Sequence, residues 1–168
     1  MATNLKNLSD YNKENFNLNP DTEVGIVVSE WNSEITDALC KGAYDTLIEN
    51  GISESNIIIK YVPGSFELPL GAKLMIENTS VDAVICIGCV IQGETRHFDF
   101  ICDAVANGIM KLNVDTEYLV PVIFGVLTTN NIEQARDRAG GKHGNKGVEA
   151  AVSALKMIKL SDDLSDEN

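Results

Sequence analysis

Along residues 23–159 the apolar positions alternate between unbroken runs and stripes at three-to-four spacing. An unbroken run is the signature of a strand buried on both faces of a parallel sheet. A stripe is the core-facing side of a helix. Residues 23–29 (EVGIVVS) form the first run, and Trp31 and Asn32 follow it, Asn32 at a position suited to an N-cap. Ile35, Ala38, Leu39, Gly42, Ala43 and Leu47 then make a stripe that stops at Asn50-Gly51. The second run, 56–62 (NIIIKYV), closes at Pro63-Gly64. A helix is predicted over 65–78, where Pro69 is tolerated because it falls in the first turn.

The third run, 84–91 (VICIGCVI), breaks off in Gln92-Gly93-Glu94-Thr95, and Phe98, Ile101, Val105, Gly108 and Leu112 share the next helical face. The fourth, 119–127 (LVPVIFGVL), is bounded by Thr128-Thr129. Ile132, Ala135 and Ala139 predict a short helix broken at Gly140-Gly141. The string GGKHGNKG then leads into a last helix with Val148, Ala151, Val152, Leu155 and Ile158 on one face. Four strand–helix alternations with short loops predict a doubly wound α/β sandwich around a four-stranded, mainly parallel sheet. Residues 1–22 are polar and Asn-rich and read as a flexible tail, 23–159 as the domain, and 160–168 as a disordered acidic tail. So narrow a sheet leaves edges exposed, and the long N-terminal tail can cover an edge in a neighbouring chain. Oligomerisation is expected on that ground.

A chain of 168 residues is one domain with room for a real core. Its net charge of −12 excludes nucleic acid and anionic membrane as main partners. No apolar run approaches the ~20 residues of a membrane span. The N-terminus carries Asp10, Glu14 and Asp21 and no signal-peptide core, so a cytoplasmic location is expected. Of the four cysteines, Cys86 and Cys89 form a CxxC. Within a strand that spacing puts them on opposite faces, which suits buried, reduced thiols better than a redox pair or zinc site.

In open parallel sheets ligands gather at the carboxyl edge of the strands. Each predicted strand ends there in something usable: Trp31; Gly64-Ser65-Phe66-Glu67; Gly93-Glu94-Thr95 with His97; and Phe124 near the Arg136/Arg138 helix. An aromatic plane, a carboxylate, a loop of free amides at a helix start and a histidine suit a planar heterocycle plus a phosphate. Each has a plainer reading. A lone histidine is commonly structural, Trp31 could pack at a helix start, Glu67 could complement the helix dipole, and Arg138 could be a solvated charge. Lys146 opposes the macrodipole of the last helix at a cost of about 0.3–1 kcal/mol, which an external anion would offset. GGKHGNKG is not a Walker motif, and His97 and His143 lack metal-ligand spacing.

Four motifs carry a resemblance: VPGSFELP at 62–69, IGCVIQGETRHFDF at 87–100, FGVLTT at 124–129 and RAGGKHGNKG at 138–147. Together, over about residues 23–159, the chain resembles the 6,7-dimethyl-8-ribityllumazine synthase family of riboflavin biosynthesis. The resemblance implies a flavodoxin-like αβα subunit, a homopentamer with sites between neighbours, and no metal or organic cofactor. It implies the condensation of 5-amino-6-(D-ribitylamino)uracil with 3,4-dihydroxy-2-butanone 4-phosphate, releasing phosphate and water. By the same resemblance the stacking position falls on Trp31, beside Asn32, and the pyrimidine and ribityl contacts on Ser65, Phe66, Glu67, Cys89, Val90 and Ile91. The phosphate loop falls on Glu94 and Thr95, and the proton donor on His97. Phe124, Arg138 (to the phosphate), Lys146 and nearby Glu149 come from the adjacent subunit.

Trp31 stands where the family commonly has phenylalanine. Glu94 puts a carboxylate beside the phosphate and fits only if its side chain turns outward. The short segment 139–147 resembles that of 60-subunit icosahedral shells, and riboflavin synthase is a further expected partner. Two other functions on the same fold are a flavin-binding or storage protein and a shell-forming protein.

Overall fold

A computed structural model describes residues 9, 11, 16, 18–114 and 119–166, the last by its backbone alone. Its sheet has four parallel strands in the order β2-β1-β3-β4: β1 Val24–Ser29, β2 Ile57–Val62, β3 Ala83–Ile91 and β4 Val122–Thr129. The helices are α1 Ser33–Glu49, α2 Leu68–Asn78, α3 His97–Val114, the short α4 Ile132–Asp137, and α5 Lys146–Asp166. A 3₁₀ turn, Ser65–Glu67, leads into α2. The order 2-1-3-4 is the flavodoxin-like order 2-1-3-4-5 without a fifth strand in this sheet among the described residues.

Two apolar layers hold the sheet. On one face α1 and α5 bury Leu39, Ala43, Leu47, Ala151 and Leu155 against Ile26, Ile85 and Ile87. On the other, α2 and α3 bury Leu68, Ala72, Val105 and Ile109 against Val27, Val84 and Val126. Burying each Leu, Ile or Val contributes about 1.5–3 kcal/mol, so these layers dominate the stability. β1 is buried throughout and β3 from Ala83 to Cys89, as their unbroken apolar runs predict. The two CxxC thiols lie on opposite faces, Cys86 in the α2/α3 layer and Cys89 in the α1/α5 layer.

Three details differ from the sequence-based expectation. Ala139 does not extend α4; it opens a small antiparallel hairpin, β5 Ala139–Gly141 with β6 Gly144–Asn145. Gly140 (φ 110°) and Gly144 (φ 77°) supply left-handed positions that this hairpin needs. α5 continues through Asp166, with Lys159 paired to Asp163 at 3.0 Å, where a disordered tail was expected from residue 160. β4 begins at Val122, after Leu119, and runs through Thr129. Most of the expected N-terminal tail lies outside the described residues. Of those described, Phe16 is buried against the α1/α5 layer, and Tyr11 Oη accepts a hydrogen bond from Asn50 Nδ2 (2.8 Å).

Candidate active site

At the carboxyl edge the loops after β1, β2 and β3 enclose a cavity of about 760 Å³, a volume typical of small-molecule sites. Trp31 and Asn32 form one wall, the 63–67 turn a second, and Cys89, Val90 and Ile91 the floor. Gly93, Thr95, His97, Phe98 and Ile101 close it along α3. Ten of the residues singled out in the sequence therefore line one space: Trp31, Asn32, Ser65, Phe66, Glu67, Cys89, Val90, Ile91, Thr95 and His97.

Each wall has a local cause. The chain leaves β1 through Asn32 in a left-handed conformation (φ 61°, ψ 46°), which Asn tolerates better than other side chains with a Cβ. Its side chain makes no cap bond to α1; Nδ2 instead donates to the Cys89 carbonyl at 2.9 Å. Trp31 is thrown outward, 72% exposed. The 3₁₀ turn sits directly on β3 because Gly88 leaves room: a Cβ there would lie 2.7 Å from Ser65 Oγ. That contact buries Ser65 and leaves Phe66 exposed at the cavity mouth.

At the α3 entrance the 93–97 loop is exposed, and the Thr95 hydroxyl accepts a long 3.4 Å bond from the His97 amide. Glu94 is exposed and does not line the cavity, although its neighbours Gly93 and Thr95 do. Glu67 is the acidic group of the lining and His97 the basic one. Burial pushes the Cys89 thiol up to about 11, so the floor thiol stays protonated at neutral pH and is no ready nucleophile. Among the described residues, no group of three or more His, Cys, Asp and Glu side chains is placed to hold a metal ion.

The remaining four expected site residues are not in this cavity. Phe124 lies on β4, half-buried against the α2/α3 layer. Arg138, Lys146 and Glu149 form a separate cluster where the hairpin meets α5. Glu149 is nearly buried, its Oε1 2.6 Å from Arg138 Nη2 and its Oε2 3.4 Å from Lys146 Nζ. The first contact is off the line of a hydrogen bond and acts as a charge pair. The anion that offsets Lys146 is thus one turn further along the same helix. Asn145 caps α5, accepting from the Gly147 amide at 2.8 Å, and its Nδ2 donates to the Ala38 carbonyl at 3.0 Å. A Cβ on Gly147 would run into the Leu39 carbonyl, so in this chain the GNKG segment serves helix packing.

Gly64 and Gly93, named with the turns at the strand ends, also line the cavity, as do Pro63, Phe98 and Ile101, which were not singled out as site residues. Phe98 and Ile101 belong to the predicted apolar stripe of α3. Stripe positions in a helix's first turn overhang the sheet edge, where the cavity rather than a strand lies beneath them. At α4, Asn131 Oδ1 caps the helix by accepting from the Gln134 amide, and Gln134 Oε1 accepts from the Asn130 amide, both at 2.9 Å.

A parallel flavodoxin-like sandwich with an aromatic-walled cavity and an amide loop at its strand ends is the build of an α/β enzyme acting on small molecules. Residues 21–162 match the sequence model of the 6,7-dimethyl-8-ribityllumazine synthase family, and the chain belongs to that family. A 6,7-dimethyl-8-ribityllumazine synthase of Porphyromonas gingivalis is 58% identical over 160 residues, covering 95% of this chain and 98% of that one. The Cytophaga hutchinsonii protein of the same description is 60% identical over 158 residues, 94% and 98% of the two chains. That of Christiangramia forsetii is 56% identical over 164 residues, 97% and 96%.

Proposed function

We propose that the chain condenses 5-amino-6-(D-ribitylamino)uracil with 3,4-dihydroxy-2-butanone 4-phosphate to 6,7-dimethyl-8-ribityllumazine. The observation that carries this is the single cavity joining Trp31, Phe66 and Glu67 to the β3 edge and to the loop at His97. The pyrimidine stacks on Trp31 and meets Glu67 and the backbone of Val90 and Ile91, with Ser65 and Phe66 along its ribityl chain. The phosphate sits at the 93–95 loop, where backbone amides and the positive end of α3 favour an anion.

The 5-amino group attacks the ketone, and imine formation expels one water. Loss of the C3 proton then drives phosphate out as its C–O bond breaks, and the enol becomes a methyl ketone. The ribitylamino nitrogen attacks that ketone, and ring closure expels a second water. Each step moves protons near neutral pH, which suits His97. Holding the two partners stacked and aligned supplies much of the remaining acceleration.

Phe124 and the Arg138–Lys146–Glu149 cluster complete the site from an adjacent copy in a homopentamer, or in twelve pentamers forming a 60-subunit shell. Exposed Leu70 and Leu74 on α2 and Phe100 on α3 support such contacts. The reaction is placed in the cytoplasm, with riboflavin synthase taking the product. Among the described residues no helix is long and apolar enough to cross a membrane. Mixing the purified chain with both substrates and following lumazine fluorescence tests the reading. Product forming no faster than in buffer would overturn it.

A further inference from the structure

The side chain of Asn32 joins two parts of the site that the sheet ladder leaves apart. β1 pairs with β3 only as far as Val28↔Ile87. Beyond that point the Glu30 amide turns to β2, donating to the Val62 carbonyl at 2.9 Å. The Cys89 carbonyl lies two residues past the last rung, and Asn32 Nδ2 donates to it at 2.9 Å. A side-chain amide thus takes the place of the missing backbone donor.

Asn32 is held at its other end too. Its carbonyl accepts from the Ile35 and Thr36 amides at 2.9 and 3.1 Å, and its φ of 61° is the one positive value outside glycine among the described residues. Trp31 precedes this pinned residue. At 72% exposure the indole has little packing within its own chain to orient it, so there its direction follows from the backbone. Trp31 and Asn32 line the large cavity and also a smaller one of about 430 Å³. Trp31 thus borders two spaces, and the backbone at Asn32 bears on which of them the indole serves.

We propose that Asn32 is a positioning residue: by binding the Cys89 carbonyl, its amide sets the gap between the Trp31 plane and the β3 edge in which the pyrimidine is held. The inference rests on the function proposed above. It predicts an effect on one substrate, because the butanone phosphate sits at the 93–95 loop, away from this link.

Asn32→Gly keeps the left-handed backbone without steric cost and removes only the amide. Asn32→Asp keeps the size and turns the donor into an acceptor. In the full-length protein both variants should raise KM for the pyrimidine about fivefold or more, with KM for the butanone phosphate changed less than about twofold. In a Trp31→Ala background, Asn32→Gly should add nothing further, because a residue acting through Trp31 has nothing left to act on. An undiminished effect in that background would mean that Asn32 touches the substrate itself. No rise in KM, or an equal rise for both substrates, would likewise overturn the proposal.

A readout without substrate separates this failure from failure of the reaction reading. Trp31 is the chain's sole tryptophan, and its time-resolved anisotropy should show a wider indole swing in either variant. An unchanged swing in a folded variant overturns the positioning role whatever the reaction is. Should Asn32→Gly not fold, Asn32→Asp carries the same comparisons.

Discussion

Arg138 Nη2 lies 2.6 Å from Glu149 Oε1, so the guanidinium assigned to substrate phosphate already has a nearly buried partner within its own chain. Arg138 also donates from Nη1 to the His143 carbonyl at the hairpin tip. It therefore serves the fold and is proposed to serve the site, and the two roles separate by mutation. Arg138→Ala should cost about 1–3 kcal/mol, because Glu149 is left with Lys146 alone. It should also raise KM for the butanone phosphate far more than for the pyrimidine. Adding Glu149→Gln should restore most of the stability, read as a urea midpoint at constant slope, but not the KM. Equal effects on both substrates would assign Arg138 to the fold or the interface alone.

That Arg138 and Phe124 do not line the cavity bears on assembly. A chain that needs these residues from a neighbour is inactive as a monomer, so activity should fall with dilution as the oligomer dissociates. Sedimentation should give a mass of about 1.1 MDa for twelve pentamers of the 18.2 kDa chain. A mass of about 90 kDa would mean that assembly stops at five chains of 18.2 kDa.

Burial pushes the Cys40 and Cys89 thiols up to about 11 and Cys86 up to about 12. In the unfolded chain they lose their protons near the ordinary 9.0, whereas in the fold they keep them. Raised folded values mean that their contribution is whole below pH 9 and is lost as pH climbs towards 11–12. Thermal midpoints should therefore fall as pH rises from about 9 towards 11, and less steeply in Cys86→Val. An identical fall in that variant would place the pH response elsewhere.

Trp31 offers a wider π-face than phenylalanine, and base–aromatic stacking is worth roughly 1–3 kcal/mol. A flavin's three fused rings gain more from the extra width than a pyrimidine does. Riboflavin should quench Trp31 fluorescence, and Trp31→Phe should weaken its binding about tenfold, equivalent to about 1.4 kcal/mol. Equal affinity by calorimetry would show that the indole does not select flavin.

The central strands could be read in advance because a strand covered on both sides has to be apolar throughout, as 84–91 is, and edge strand β2 still showed its Ile57–Ile59 run although Lys60 and Tyr61 are exposed. The β5–β6 hairpin could not. Its strands, Ala139–Gly141 and Gly144–Asn145, are too short to show a period, and glycine conformations define the turn. Asn32 was expected to cap α1, which is the usual use of asparagine there. Its bond to Cys89 joins residues 57 apart in sequence, and no local pattern encodes that. Glu149 showed the opposite weakness. Its place three residues after Lys146 was visible, but its burial depends on how closely α5 packs against α1 at Gly147.

The central claim is that the cavity at His97 couples phosphate loss to lumazine formation. The most direct measurement follows phosphate and lumazine in parallel from the same reaction, with and without EDTA, for wild type and His97→Ala. The account predicts equal amounts of the two products, a wild-type rate insensitive to EDTA, and both rates lower by about 10–10³-fold in the variant. Phosphate released without lumazine, or a variant as fast as wild type, would contradict it.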